Sequence, residues 1–198
     1  MKKTVKTKPE IVAEGEQNTE ASKSSELFDW MQCIVFALIF CILVFLFLGR
    51  TVGVIGGSME NTLFEGERLV ISKLFYTPEY GDIVVLRQDT FRNEPIVKRV
   101  IATEGQTVDI DFEECVVYVD GVALDEPYTK EYGNYSYYDS QDFEDEVTVP
   151  EGCVFVMGDN RNGSTDSRTD SIGFVDTRKI LGKVIFRIAP LDRMGFVE

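Results

Sequence analysis

The sequence predicts a mainly β domain carried behind a single N-terminal transmembrane helix. Three observations predict it. An uncharged apolar run of nineteen residues lies near the N-terminus, eight short β-branched runs follow it between turn signals, and little helical periodicity appears beyond the run.

Residues 1–29 are polar and nearly free of aromatics, with Lys2, Lys3, Lys6 and Lys8 followed by Glu10, Glu14, Glu16 and Glu20, and they read as a disordered tail. Residues 30–50 read as the transmembrane helix. The run Met31 to Gly49 holds one Gln and no charge, and at roughly 1.5 Å per residue it spans about 28 Å, close to a hydrocarbon core of about 30 Å. Trp30 and Arg50 suit the two interfaces. A cleaved secretory signal would have an apolar region of about 7 to 15 residues and a small-residue cleavage site, and FLFLGRTVGV fits neither condition. Charge does not orient the span, because only Lys23 lies near it on one side, against Arg50 and Arg68 on the other.

Residues 51–198 are long enough for a core of their own. The β-branched runs are Leu69 to Ser72, Ile83 to Leu86, Ile96 to Ala102, Thr107 to Ile110, Val116 to Val119, Val147 to Val149, Val154 to Met157 and Val184 to Ile188. Asp120-Gly121 predicts a two-residue hairpin turn, which needs positive φ at both central positions. Only Asp176 to Gly182 reads as helix, with Asp176 as N-cap and Gly182 as terminator. Residues 125–146 hold five of the eight tyrosines and eight acids without a strand period, and read as an exposed insertion.

Composition excludes several chemistries. The chain has no histidine, which removes the Ser-His-Asp triad, the Cys-His dyad and histidine metal ligands together. With 34 acidic against 20 basic residues and a net charge of -14, attraction to a phosphate backbone is disfavoured, so no nucleic-acid partner is expected. Cys33, Cys41, Cys115 and Cys153 form no CxxC pair, so no metal site or cofactor is signalled; a Cys115–Cys153 pairing is left open.

A hydrolase without histidine needs another base, and a lysine kept neutral by desolvation can activate a serine. Lys98 in Ile96-Val-Lys-Arg-Val-Ile101 is the first candidate, since period two puts Ile96, Lys98 and Val100 on one face. Lys183 is the rival, and a snorkelling or ion-paired strand lysine is the plain alternative. Ser58 in Val54-Ile-Gly-Gly-Ser-Met59 is the candidate nucleophile, because two preceding glycines permit unusual φ and a backbone amide aimed at an oxyanion. A simple turn would also fit. The third element is Gly158-Asp-Asn-Arg-Asn-Gly-Ser-Thr-Asp-Ser-Arg168, a polar loop after an apolar strand in which Asp and Arg can crosslink.

Taken in order, Gly57-Ser58-Met59, Gly81-Asp-Ile-Val-Val85, Lys98-Arg-Val-Ile101 and the loop from Gly158 to Arg168 resemble the type I signal peptidases over roughly residues 30 to 190. The resemblance implies a membrane-anchored serine protease with a Ser/Lys dyad on a β-rich domain, of the short Gram-positive type. It implies Ser58 as nucleophile, Lys98 as general base and Ser164 as the hydroxyl that orients the lysine. Asp166 and Arg168 correspond to a supporting ion pair, and Gly158 to a glycine packed on the lysine stem. It also implies signal peptides of exported preproteins as substrates, a bilayer, proximity to the export machinery, a cytoplasmic N-terminus and an extracytoplasmic catalytic domain. Two departures stand out: Asn61 where the family usually has proline three residues after the nucleophile, and Gly56 where some members carry a serine oxyanion donor.

The expected chemistry is proton transfer from Ser58 to neutral Lys98 during attack, an acyl-enzyme, and hydrolysis through the same base. Val54 and Val97 are expected to help form shallow pockets for small side chains. Two alternatives differ in substrate or class: a paralogue dedicated to a few substrates such as pilin-like proteins, and a non-catalytic membrane-tethered β binding module.

Overall fold

The computed structural model describes residues 26–42, 50–88, 91, 94–129, 143 and 146–197. The chain divides into two units, Met1–Leu46 and Phe47–Glu198. In the first, a helix, α1, covers 26–42. It therefore starts ahead of the predicted boundary at residue 30: Glu26 and Asp29 occupy its first turn, where carboxylates favour the positive end of a helix. Trp30, Ile34, Phe36, Phe40 and Ile42 are exposed around it. Among the described residues no helix is long and apolar enough to cross a membrane. The end of the predicted span, 43–49, and the tail 1–25 lie outside the described residues.

The second unit is built from strands. In chain order they are β1 (Arg50–Gly53), β2 (Arg68–Ser72), β3 (Ile83–Leu86), β4 (Ile96–Thr103), β5 (Thr107–Asp111), β6 (Val116–Val119), β7 (Val122–Ala123), β8 (Glu146–Thr148), β9 (Cys153–Met157), β10 (Val175–Asp176), β11 (Ile180–Ala189) and β12 (Gly195–Phe196). The larger sheet runs β1-β2-β11-β3-β4-β9-β10 with β12 on β11, and the smaller runs β7-β6-β5-β8. All eight predicted runs fall on strands. β7 is the second arm of the hairpin predicted at Asp120-Gly121, and β1, β10 and β12, two to four residues long and without an apolar run, carry no such signal in the sequence.

The larger sheet is apolar on both faces, which is why Ile83-Val-Val-Leu86 reads as an unbroken run rather than an alternation. Ile83 and Val85 join Met59, Leu63, Leu69 and Val97 on one side. Val84 and Leu86 join Val100, Val156 and Ile180 on the other. Each such side chain contributes about 1.5–3 kcal/mol on burial, so β4 is held rigidly between β3 and β9. The smaller sheet packs Val108, Ile110 and Val117 against Phe155 and Met157.

The Asp120-Gly121 turn forms with φ of 51° and 74°. The predicted helix at Asp176 to Gly182 does not form. Asp176 does act as an N-cap, accepting from the Arg178 amide, but of a single 3-10 turn at Thr177–Lys179, after which the chain enters β11. Gly182 is not a terminator: a Cβ there would sit 2.9 Å from the backbone of Ser72, so the glycine permits β2 and β11 to approach. Nor are the described ends of the 125–146 segment simply exposed, since Phe143 packs edge-on against Phe155 at 5.9 Å and Glu126 is buried in an ion pair. The rest of that segment lies outside the described residues.

Candidate active site

The nucleophile candidate is displayed by a loop anchored on either side of it. After β1 the chain turns at Gly56 (φ +81°) and Gly57, and a tight turn closes with the Glu60 amide donating to the Gly57 carbonyl at 3.1 Å and the Leu63 amide to the Met59 carbonyl at 2.8 Å. Met59 and Leu63 are buried in the apolar cluster below. Burial of Met59 thus fixes the backbone while Ser58, one residue earlier, stays half-buried and open to the groove.

Lys98 sits mid-way along β4 and is 3% exposed. Val84 of β3 stands opposite it, and Ile96 and Val100, its predicted face-mates, pack in the cluster with Val84. Its Nζ lies 2.8 Å from Ser58 Oγ, within reach for direct proton transfer. Lys183, the rival, instead pairs with Asp82 and has a side chain 42% exposed.

The strap that follows β9 packs against Ser58. Gly158 leaves no room for a side chain: a Cβ would lie 2.3 Å from Ser164 Oγ and 2.4 Å from the Ser58 carbonyl oxygen. The three atoms nearest to that position belong to Ser164 and Ser58. Asp166 and Arg168 form a buried bidentate pair, with Nε to Oδ1 at 2.8 Å and Nη2 to Oδ2 at 2.9 Å. Asp166 Oδ2 also accepts from Ser164 Oγ at 2.7 Å and from the Gly158 amide at 2.9 Å. Burial alone would push the Asp166 carboxyl up, but the charge and hydrogen bonds of Arg168, then the Lys98 side chain and the Gly158 amide, hold it below its ordinary value.

Several organising contacts escaped sequence reading. Besides the Asp166–Arg168 crosslink within the loop, Asp159 pairs outward with Arg99 on β4, Nε to Oδ1 at 2.9 Å and Nη2 to Oδ2 at 2.8 Å, and accepts from Thr62 Oγ1 at 2.5 Å. Asn160 donates its backbone amide to the Ser58 carbonyl at 3.1 Å and its side-chain amide to the Gly57 carbonyl at 2.9 Å. Arg161 reaches Glu126 at 2.5 Å. Arg99 carried a signal in the sequence: a charged residue on the second face of an apolar strand needs a buried partner.

A groove of about 260 Å³ runs from Ser58 and Lys98 toward Glu94 and Pro95, with Val54 and Val97 in its walls. Among the described residues no cluster of three or more acidic or cysteine side chains is arranged to hold a metal ion, and Cys115 and Cys153 are not joined to each other in a disulfide.

The chain is similar to known proteins over most of its length. The family described as "Signal peptidase, peptidase S26" matches residues 27–189. A "Signal peptidase I" of Bacillus licheniformis is 35% identical, covering 90% of this chain and 97% of the relative. A "Probable signal peptidase I-1" of Synechocystis is 37% identical, covering 82% of each. A signal peptidase I crystal structure from Enterococcus faecalis aligns at 30% identity with a TM-score of 0.44, over 55% of this chain and 97% of that one. A match across this much of the chain makes it a member of the signal peptidase family, peptidase S26, and so a serine peptidase.

Proposed function

We propose that this chain removes N-terminal signal peptides from exported preproteins by a Ser58/Lys98 dyad. The observation that carries the mechanism is the 2.8 Å separation of Lys98 Nζ from Ser58 Oγ at a buried position of β4. Burial disfavours the charged ammonium, and the Asp166 carboxylate, which would favour it, is already matched by Arg168. Neutral Lys98 accepts the Ser58 proton as Oγ attacks the scissile carbonyl, then passes it to the departing amine. Water enters by the same base and releases the acyl-enzyme. Ser164 and Asp166 orient the lysine side of the dyad, and Arg168 holds Asp166. The Ser58 amide is the first oxyanion donor.

Substrate enters the groove as an extended segment, its small side chains against Val54 and Val97. In this reading residues 30–50 are the membrane anchor and the N-terminus is cytoplasmic. The exposed apolar side chains of α1 from Trp30 to Ile42 support that anchor, because a helical stretch so largely apolar is stable only inside protein or lipid.

The test is cleavage of a preprotein by detergent-solubilised wild type, Ser58→Ala and Lys98→Ala, with the new N-terminus sequenced. Cleavage after a small-residue motif in the wild type alone is expected. Activity retained by either folded variant overturns the dyad, and function retained by both in the absence of cleavage points to a binding module.

A further inference from the structure

The root of the tyrosine-rich segment is attached to the two chain positions that flank the dyad. Tyr128 touches both. Its carbonyl accepts from the Asn61 side-chain amide at 3.3 Å, and its ring lies under the Arg99 guanidinium, 3.9 Å from Cζ to the ring centroid. Asn61 follows Ser58 by three residues, and Arg99 is the strand neighbour of Lys98. We propose that Tyr128 is a positioning residue that sets the spacing of Ser58 and Lys98, holding the nucleophile turn through Asn61 and the β4 backbone through Arg99. The proposal rests on the dyad reading above.

The geometry favours a rigid clamp. Asn61 has a φ of +100°, in the left-handed region that asparagine tolerates better than most residues. Proline, fixed near -65°, does not fit there. The turn is therefore held by a side-chain bond rather than by a proline ring.

On the other side, Arg99 is shared. It is stacked on Tyr128, paired with Asp159, and donates from Nη1 to the Gly81 carbonyl at 2.8 Å. Successive strand residues face opposite ways, so a pinned Arg99 fixes the backbone from which Lys98 projects. Tyr128 is itself held. Its hydroxyl donates to Glu126 Oε1 at 2.7 Å, and the same oxygen takes Arg161 Nη2 at 2.5 Å. Arg161 Nε in turn donates to the Gly158 carbonyl at 3.1 Å. Tyr128, Arg99, Asp159, Gly158, Arg161 and Glu126 thus close a ring through the strap that contacts Ser58. Burial, then the Glu126 charge, push the Tyr128 phenol above its ordinary value, so the hydroxyl remains a donor throughout the working pH range.

The test is steady-state preprotein cleavage by the full chain in detergent. Tyr128→Ala is expected to lower kcat by about ten- to a hundredfold, the effect of a misplacement of the order of 1 Å, with KM unchanged. Both variants keep the main-chain carbonyl that Asn61 holds, so Tyr128→Ala removes the ring under Arg99 and Tyr128→Phe, which keeps that ring, restores most of the loss; kcat is referred to folded protein measured by circular dichroism for each variant. Asn61→Gly keeps the positive φ, removes the donor and lowers kcat with KM unchanged. Wild-type kcat in folded Tyr128→Ala overturns the proposal, as does a rise in KM at constant kcat. Should Tyr128→Ala fail to fold, Asn61→Gly decides: a lower kcat supports the clamp and a wild-type kcat overturns it. Ser58→Ala and Lys98→Ala run alongside. Activity in these brings down the dyad itself, whereas their inactivity beside an unimpaired Tyr128→Ala brings down only the clamp.

Discussion

Gly158 lies so close to Ser58 that a Cβ on the glycine would fall 2.4 Å from the serine's carbonyl oxygen. The atom in the way is backbone, and Ser164 blocks the other side at 2.3 Å and 2.5 Å, so neither neighbour yields by a rotamer change. Gly158→Ala is expected to cost about 1–3 kcal/mol by overpacking. Because the displaced atom belongs to the nucleophile, kcat in preprotein cleavage should fall by about a hundredfold, more than the stability loss explains. A folded Gly158→Ala with wild-type kcat would show that the strap does not set the position of Ser58.

Asp159 illustrates a different dependence. Its carboxylate is Arg99's bidentate partner, with side chains 1% and 3% exposed. Asp159→Ala leaves a guanidinium buried without its counter-charge, for which about 3–5 kcal/mol is the usual cost. Urea denaturation should show a lower midpoint with an unchanged slope. A midpoint within error of wild type would mean that water reaches Arg99.

The parts of this molecule legible in the sequence are those set by local pattern. The apolar period of Ile96 to Ile101 gave both β4 and its lysine, and Asp120-Gly121 gave its hairpin through a requirement for positive φ. What escaped was set by contacts between residues far apart in the chain. Arg99 with Asp159 spans 60 residues and Asn160 with Gly57 spans 103, and no local period marks such partners. Gly182 shows the reverse error: a glycine after a possible N-cap imitates a helix terminator, when its reason is the backbone of β2 against it. Ser58, Lys98, Gly158, Ser164, Asp166 and Arg168 lie together, whereas Thr62, Asn160, Glu126 and Tyr128 join them through contacts that no local pattern marks.

Asp166 links stability to pH. Its carboxyl is held below its ordinary value of 3.8 in the folded state. A depressed carboxyl contributes stability that is fully present above the unfolded value and is lost as pH falls through the folded one. The thermal midpoint of wild type should therefore decline as pH drops below about 4. Asp166→Asn, which cannot titrate, should start lower at neutral pH and show a shallower decline. Parallel curves for the two proteins would rule out Asp166 as a contributor to acid instability.

Arg168 should control the pH dependence of catalysis without touching substrate. Asp166 interacts with Lys98 as well as with Arg168, and a carboxylate that lost its guanidinium would act on the lysine uncompensated, favouring the ammonium. The base works only when neutral, so the acid limb of kcat/KM should move to higher pH in Arg168→Met. The double variant Arg168→Met/Asp166→Asn removes both charges and should return the limb toward its wild-type position, at lower overall rate. A limb that stays in place in folded Arg168→Met would mean that the Asp166 field does not reach Lys98. Burial in the apolar strand, rather than charge compensation by Arg168, would then be what keeps the base neutral.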